Sequence, residues 1–125
     1  MRKAGILVVA MIAIAATFGT AAASAKTYYR TPFGKVVYKP KTVDFHDLKL
    51  TKLKWRHWGS KVARAHGRSR VNDCIPYCAA GTIHFGSASV HIYRRQTIDG
   101  KRQYTCIKGT AKADGQKWPI HLCGP

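Results

Sequence analysis

Four cysteines constrain the fold of this 125-residue chain more than any other feature: Cys74, Cys78, Cys106 and Cys123. Their number is even, and small exported domains commonly supplement a thin hydrophobic core with disulfides. Four cysteines allow three pairings. We predict the local solution, Cys74–Cys78 with Cys106–Cys123, in which Pro76 helps to bend the short first loop.

The spacing of the first pair argues against redox or metal chemistry. A thioredoxin-type couple has two residues between its cysteines, whereas Ile75-Pro76-Tyr77 makes three here. A structural zinc site needs four suitably spaced ligands, and the histidines contain no His-x-x-x-His pair. We therefore interpret both pairs as structural cross-links and predict no metal and no cofactor.

The first 25 residues read as a secretory signal peptide. Arg2 and Lys3 precede an uncharged stretch, residues 4–25, which ends in the small-residue tripeptide ASA. A basic start, an apolar segment and such a site are typical of signal peptides. We predict cleavage after Ala25; the alternative is an uncleaved membrane anchor. The expected location is extracellular, with association to the cell wall as one form of it.

The rest of the chain has the size of one small domain. Residues 26–46 mix aromatic and basic residues with Pro and Gly, which predicts an extended basic arm or an edge strand. Residues 47–125 are predicted to form the disulfide-bonded β domain.

The charge balance is strongly basic. The chain has 22 Lys and Arg against 5 acidic residues, a formal net charge of +17. Loss of Arg2 and Lys3 with the leader lowers this by two, to +15. Such a field attracts polyanions: cell-wall polymer, nucleic acid or an anionic lipid surface. The alternative is that the charge only keeps an exported protein soluble.

Alternation of apolar residues predicts a mainly β fold, a small antiparallel sandwich or open barrel with one short helix. In residues 47–58, Leu48 and Leu50 share one face, but Leu53 and Trp55 are out of phase with them. A β-bulge at Thr51-Lys52 would place all four inside. Residues 59–67 are predicted to form the short helix, capped by Ser and ended by Gly.

Residues 81–112 alternate as strands around a hairpin turn at Asp99-Gly100. A two-residue turn would pair Ile92 with Ile107, whereas a three-residue loop would pair Ile92 with Cys106. We favour the three-residue loop because it places Cys106 on the inward face. Residues 118–123 are predicted to form a last strand at an edge, since they include Pro119.

Acid–base groups are scarce. Only Asp44, His46 and Asp47 cluster in the sequence, and on a strand Asp44 and His46 would share a face. A secreted hydrolase using these three residues is one alternative function, and a surface ion pair among lysines is the plainer interpretation.

Basic residues cluster in three patches that are interspersed with aromatic residues. Arginine beside aromatic rings is suited to single-stranded nucleic acid or sugar-phosphate polymers, although a solvated surface is the default for each patch alone. The candidate residues for binding an anionic ligand are Lys52, Lys54, Arg56, Trp58, Arg64, Arg68, Arg70, Arg94 and Arg95.

Two sequence elements carry a resemblance to a known family. Residues 55–59 form W-x-x-W-G, and residues 74–81 form C-x-P-x-C-A-x-G. Over residues 48–107 the chain resembles an uncharacterised family of small secreted actinobacterial proteins. The resemblance implies export and a compact disulfide-bearing domain, with no activity. It also implies that Trp55 and Trp58 pack near the cysteine loop, that Asn72 bonds the loop backbone and that Gly81 permits the turn after it.

Together these observations predict a secreted, cationic, non-catalytic binding module that adheres to anionic envelope or extracellular polymers. The alternatives are the hydrolase described above and a secreted effector or inhibitor of a protein partner.

Overall fold

The computed structural model describes residues 26–124, so the predicted signal peptide lies outside the described residues. The fold is mainly β, with 65% of the described residues in strands and two disulfides, as predicted. No helix in this part of the chain has the length and hydropathy needed to cross a membrane. The elements are β1 (Thr27–Arg30), β2 (Val36–Val37), β3 (Val43–Asp44), β4 (Leu48–Arg56), β5 (Ala63–Asn72), a 3₁₀ helix (Cys78–Ala80), β6 (Ile83–Ile98), β7 (Lys101–Ala113) and β8 (Gln116–Cys123).

The strands form one sheet that curls into a half-barrel. Their order is β2-β1-β7-β6-β5-β4-β3, and β8 also pairs with β7. All neighbours are antiparallel except β1 and β7, which are parallel. Residues 26–46 therefore supply β1, which lies between β2 and β7, and the two-residue strands β2 and β3 at the ends of the order.

The predicted β-bulge is present in β4. The pairing of β4 with β5 shifts between Thr51 and Lys54, and Lys52 has a φ of +52°. As a result Leu50 and Leu53 are both buried although they are three residues apart. Gly67 lies opposite the bulge, where a Cβ would stand 2.5 Å from the Thr51 carbonyl oxygen. The close approach of these two backbones therefore requires glycine at position 67.

The helix predicted over residues 59–67 is wrong. A turn and bends occupy residues 59–62, and β5 begins at Ala63. Ala63 and Ala65 are buried against Ile92 and Val90 of β6. Their spacing of two residues suits a strand, and pairing with the long β6 outweighs the local helix signals.

The favoured register of the central hairpin is also wrong. Ile92 of β6 pairs with Ile107 of β7. Ile98 pairs with Lys101, so the turn between the two strands has two residues. Asp99 and Gly100 both have positive φ, as a type I′ turn requires. Alternate burial along β7, which would favour the other register, does not occur: five consecutive residues, 103–107, are all buried.

Aromatic rings close one end of the core. Trp58 packs edge-on against Trp55 and Tyr104, with ring centroids 5.0 and 5.5 Å apart. This cluster lies at the end of β4 opposite the cysteine loop, because Leu48 pairs with Val71 just before that loop. The prediction that the tryptophans pack near the cysteine loop is therefore wrong.

Both disulfides have the predicted pairing, Cys74–Cys78 and Cys106–Cys123. The first closes an exposed loop, whose backbone is held by the Asn72 side chain. Asn72 Oδ1 accepts from the Cys74 N–H at 2.9 Å, and its Nδ2 donates to the Cys78 carbonyl at 2.7 Å. The second joins the directly paired residues of β7 and β8.

We expect loss of the Cys106–Cys123 disulfide to destabilise the fold more than loss of Cys74–Cys78. The sequence separation is 17 residues for Cys106–Cys123 and 4 residues for Cys74–Cys78. By loop-closure entropy the longer loop contributes about 3 kcal/mol to the free energy of unfolding, and the shorter loop contributes about 2 kcal/mol. Urea denaturation of the two double Cys→Ala variants under non-reducing conditions gives each free energy of unfolding. Equal losses, or a larger loss for the short loop, would contradict the expectation.

Candidate anion-binding face

Side chains of β4 to β8 that point away from the core form one continuous surface, which we call the outer face. Strand β5 shows the pattern: Ala63, Ala65 and Val71 are buried, while Arg64 and Arg68 between them are exposed. Directly paired residues in an antiparallel sheet project to the same side. The strand pairings therefore identify the residues that share this face.

Two rows of paired residues cross the outer face. One row runs from β4 to β8 through Arg56, Arg64, His91, Lys108 and His121. A second row, four or five residues away along each strand, runs through Thr51, Arg68, Ser87, Lys112 and Lys117. Because neighbouring strands are about 4.8 Å apart, each row brings several cations together.

The cations fall on two ridges. The β4–β5 ridge consists of Lys54, Arg56, Arg64, Arg68 and Arg70, and the β7–β8 ridge consists of Lys108, Lys112 and Lys117. All of these side chains are exposed.

Strand β6 separates the ridges, and its outward residues from Phe85 to Tyr93 carry no fixed charge. They are Phe85, Ser87, Ser89, His91 and Tyr93. A depression of about 190 Å³ lies at the middle of this strand. It is lined by Ser87, Ser89 and Thr110, with His66 on one side and Lys112 on the other. We call this strip along β6 the trough.

The outer face is electrostatically unbalanced. Strands β4 to β8 contain no Asp and no Glu. Within residues 26–124 the ion pairs are those of His84 with Asp73 and Asp114, so carboxylates do not pair with the ridges. Partial burial, together with the charges of Arg64 and Lys108 on either side, lowers the pKa of His91 below its usual value. His91 is therefore neutral at neutral pH.

The structure brings some of the sequence-predicted ligand residues together and separates others. Lys54, Arg56, Arg64, Arg68 and Arg70 all lie on the β4–β5 ridge, and Lys52 is exposed in the adjacent bulge.

Three predicted ligand residues are away from the outer face or engaged in the fold. Trp58 is half-buried, and its Nε1 donates to the Thr27 carbonyl at 2.7 Å. Arg95 donates from Nη1 to the Gly59 carbonyl, also at 2.7 Å. Arg94 is exposed but lies beyond Tyr93, outside the two rows.

The β7–β8 ridge and the trough were missed by sequence reasoning. Lys108 and Lys112 are four residues apart on a strand, so their shared face was readable from the sequence. The sequence did not show that they lie across β6 from Arg64 and Arg68, because that placement depends on the register of two successive strand pairings.

The Asp44, His46 and Asp47 cluster does not form an acid–base pair. It lies in a turn between β3 and β4, where His46 has a φ of +70°. The Asp44 carboxylate accepts from the backbone N–H of His46 at 3.0 Å, while the His46 ring packs against Phe33. Asp47 lies beside Cys74 and Cys78, whose sulfurs are joined to each other and so offer no thiolate to a metal.

His84 joins the cysteine loop to the β7–β8 turn. Its Nε2 is 3.0 Å from Asp73 Oδ2, and its Nδ1 is 2.7 Å from Asp114 Oδ2. These hydrogen bonds raise the pKa of His84. The bond from His84 and those from the Ile75 and Thr82 amides lower the pKa of Asp73. The two carboxylates are positioned to hold a protonated His84 ring between them. This arrangement is a structural cross-link.

Comparison with known proteins identifies no relative: no protein-family model, no curated protein and no solved structure matches the chain. The resemblance to the small secreted actinobacterial family therefore stays a prediction.

We expect the stability contributed by His84 to be fully present below its ordinary pKa of 6.5 and to be lost as the pH rises through its raised folded-state pKa. The contribution of Asp73 is present above its ordinary pKa of 3.8 and is lost as the pH falls through its lowered value. Urea midpoints at about pH 5 and about pH 8 measure the difference.

In His84→Gln, which cannot ionise, the fall in stability between these pH values should shrink. The matched control is His57→Gln, at an exposed histidine. A fall of wild-type size in His84→Gln would show that the pair does not contribute to stability.

Proposed function

We propose that this protein is a secreted, non-catalytic binding module that adheres through its outer face to anionic polymers of the cell envelope or the extracellular space. Two disulfides in a small domain support an oxidising location, since such cross-links persist outside the cytoplasm. The predicted leader and the family resemblance also indicate export. The resemblance implies no activity.

One observation carries the proposal: like charges are placed directly opposite one another on neighbouring strands. Arg56 pairs with Arg64, and Lys112 pairs with Lys117. Directly opposed like charges destabilise a sheet, and the five strands contain no carboxylate that would relieve the repulsion. A polyanion would relieve it on binding.

A general need for solubility accounts less well for this arrangement. A net charge far from zero keeps a protein soluble, and this does not require like charges to be placed opposite one another. Cations spread among the turns and the edge strands would serve equally and would avoid repulsion. Eight exposed Lys and Arg share the outer face with no Asp or Glu in its strands, and this arrangement favours a ligand.

The hydrolase alternative has lost its geometric basis. The Asp44 carboxylate bonds backbone and not His46, and the His46 ring packs on Phe33. No observation in the structure favours an effector or inhibitor role over polymer binding.

We expect Lys54→Gln/Lys108→Gln, with one change on each ridge, to weaken binding to a heparin-derived oligosaccharide. Each lost contact reduces the salt dependence, so the slope of log affinity against log salt should fall by roughly one to two. Fluorescence anisotropy with labelled ligand over a series of NaCl concentrations measures both quantities.

The matched control is Lys35→Gln/Lys61→Gln, which removes the same charge from exposed positions outside β4 to β8. It should retain most of the affinity and the slope. The proposal fails if the wild-type protein does not bind at low salt, or if both double variants lose the same amount.

A further inference from the structure

We propose that the trough along β6 is the seat of a single extended acidic carbohydrate chain, which lies parallel to the strand with a cationic ridge on either side. This inference rests on the proposed function and names the ligand class and its path on the outer face.

The width of the trough argues for one chain. Strands β5 and β7 both pair with β6, so their outward residues stand roughly 10 Å apart across it. Arg64 and Lys108 face each other over His91, and Arg68 and Lys112 face each other over Ser87. An anionic group above β6 is therefore reached from both ridges at once.

The floor of the trough argues for hydroxyl-rich units. Ser87 and Ser89 are exposed and Thr110 is half-buried beside them, all lining the central depression. A serine or threonine hydroxyl both donates and accepts, which matches the hydroxyls of a sugar. The small side chains also leave the depth that a sugar ring needs.

The same floor argues against a single-stranded nucleic acid. Proteins that bind such strands stack successive bases on aromatic side chains. Here the rings of β6 are at the two ends, Phe85 at one and Tyr93 with His91 at the other. The floor between them has none, and His66 stands at its side. A double helix is also a poor fit, because it is too wide to enter between the ridges.

The test fills the trough without changing its charge. Ser89→Ile, and separately Ser87→Ile, keep a residue suited to a strand and remove the hydroxyl and the space. We expect each to bind a heparin-derived oligosaccharide roughly tenfold more weakly, the scale of one or two lost hydrogen bonds. The salt slope should stay at the wild-type value because the ridges are intact.

Two control variants accompany the test. Ser89→Thr keeps the hydroxyl and should bind within about twofold of the wild type. Thr97→Ile makes an equivalent change at an exposed position of β6 beyond the trough and should bind as the wild type does. Urea midpoints establish that all variants are folded.

Wild-type affinity in both Ser→Ile variants would overturn the inference. So would tighter binding of an oligothymidylate or a DNA duplex of equal charge than of the oligosaccharide. If Lys54→Gln/Lys108→Gln still weakens binding in that case, the proposed function stands and only the trough is wrong. If the charge variant and its control behave alike, the proposed function itself fails.

Discussion

The one-residue slip in β4 is the constraint on which both sides of the sheet depend. Before the bulge, Leu50 points to the core; after it, Leu53 does so, at odd spacing. Without the slip, the apolar side chains after Lys52 would face solvent, and Lys54 and Arg56 would face the core. Gly67 makes the slip possible, because only a residue without a side chain lets β5 approach the bulged carbonyl.

The pairing of β4 with β5 that includes this slip determines both the core and the outer face. The β5 residues opposite the bulge alternate between small buried and long basic side chains. Long hairpins then carry the alternation through β6 and β7 to β8. The opposed cations cost stability. The disulfide between β7 and β8 fixes the open end of this hairpin, and Lys112 faces Lys117 beside the turn at its other end.

How well a feature could be predicted from the sequence depended on how far apart in the chain its interacting residues are. The bulge, the hairpin turn at Asp99-Gly100 and the Cys74–Cys78 loop are read from neighbouring residues, and each is present. The helix at residues 59–67 failed because local signals competed with long strand pairing. The register of the central hairpin failed because alternate burial was assumed along β7, where residues 103–107 are all buried. Trp58 was predicted as a ligand residue because exposure cannot be read from sequence, yet its indole bonds to Thr27, 31 residues away.

By itself the sequence determined the fold class, the pairing of the cysteines and the excess of positive charge, since alternation, spacing and composition are local properties. Only the tertiary structure decided where the charge lies. Lys54 and Lys108 are distant in the chain and reach one face through four successive strands, because each register depends on turns and burial along the whole sheet. The trough between the two ridges exists only once those registers are set.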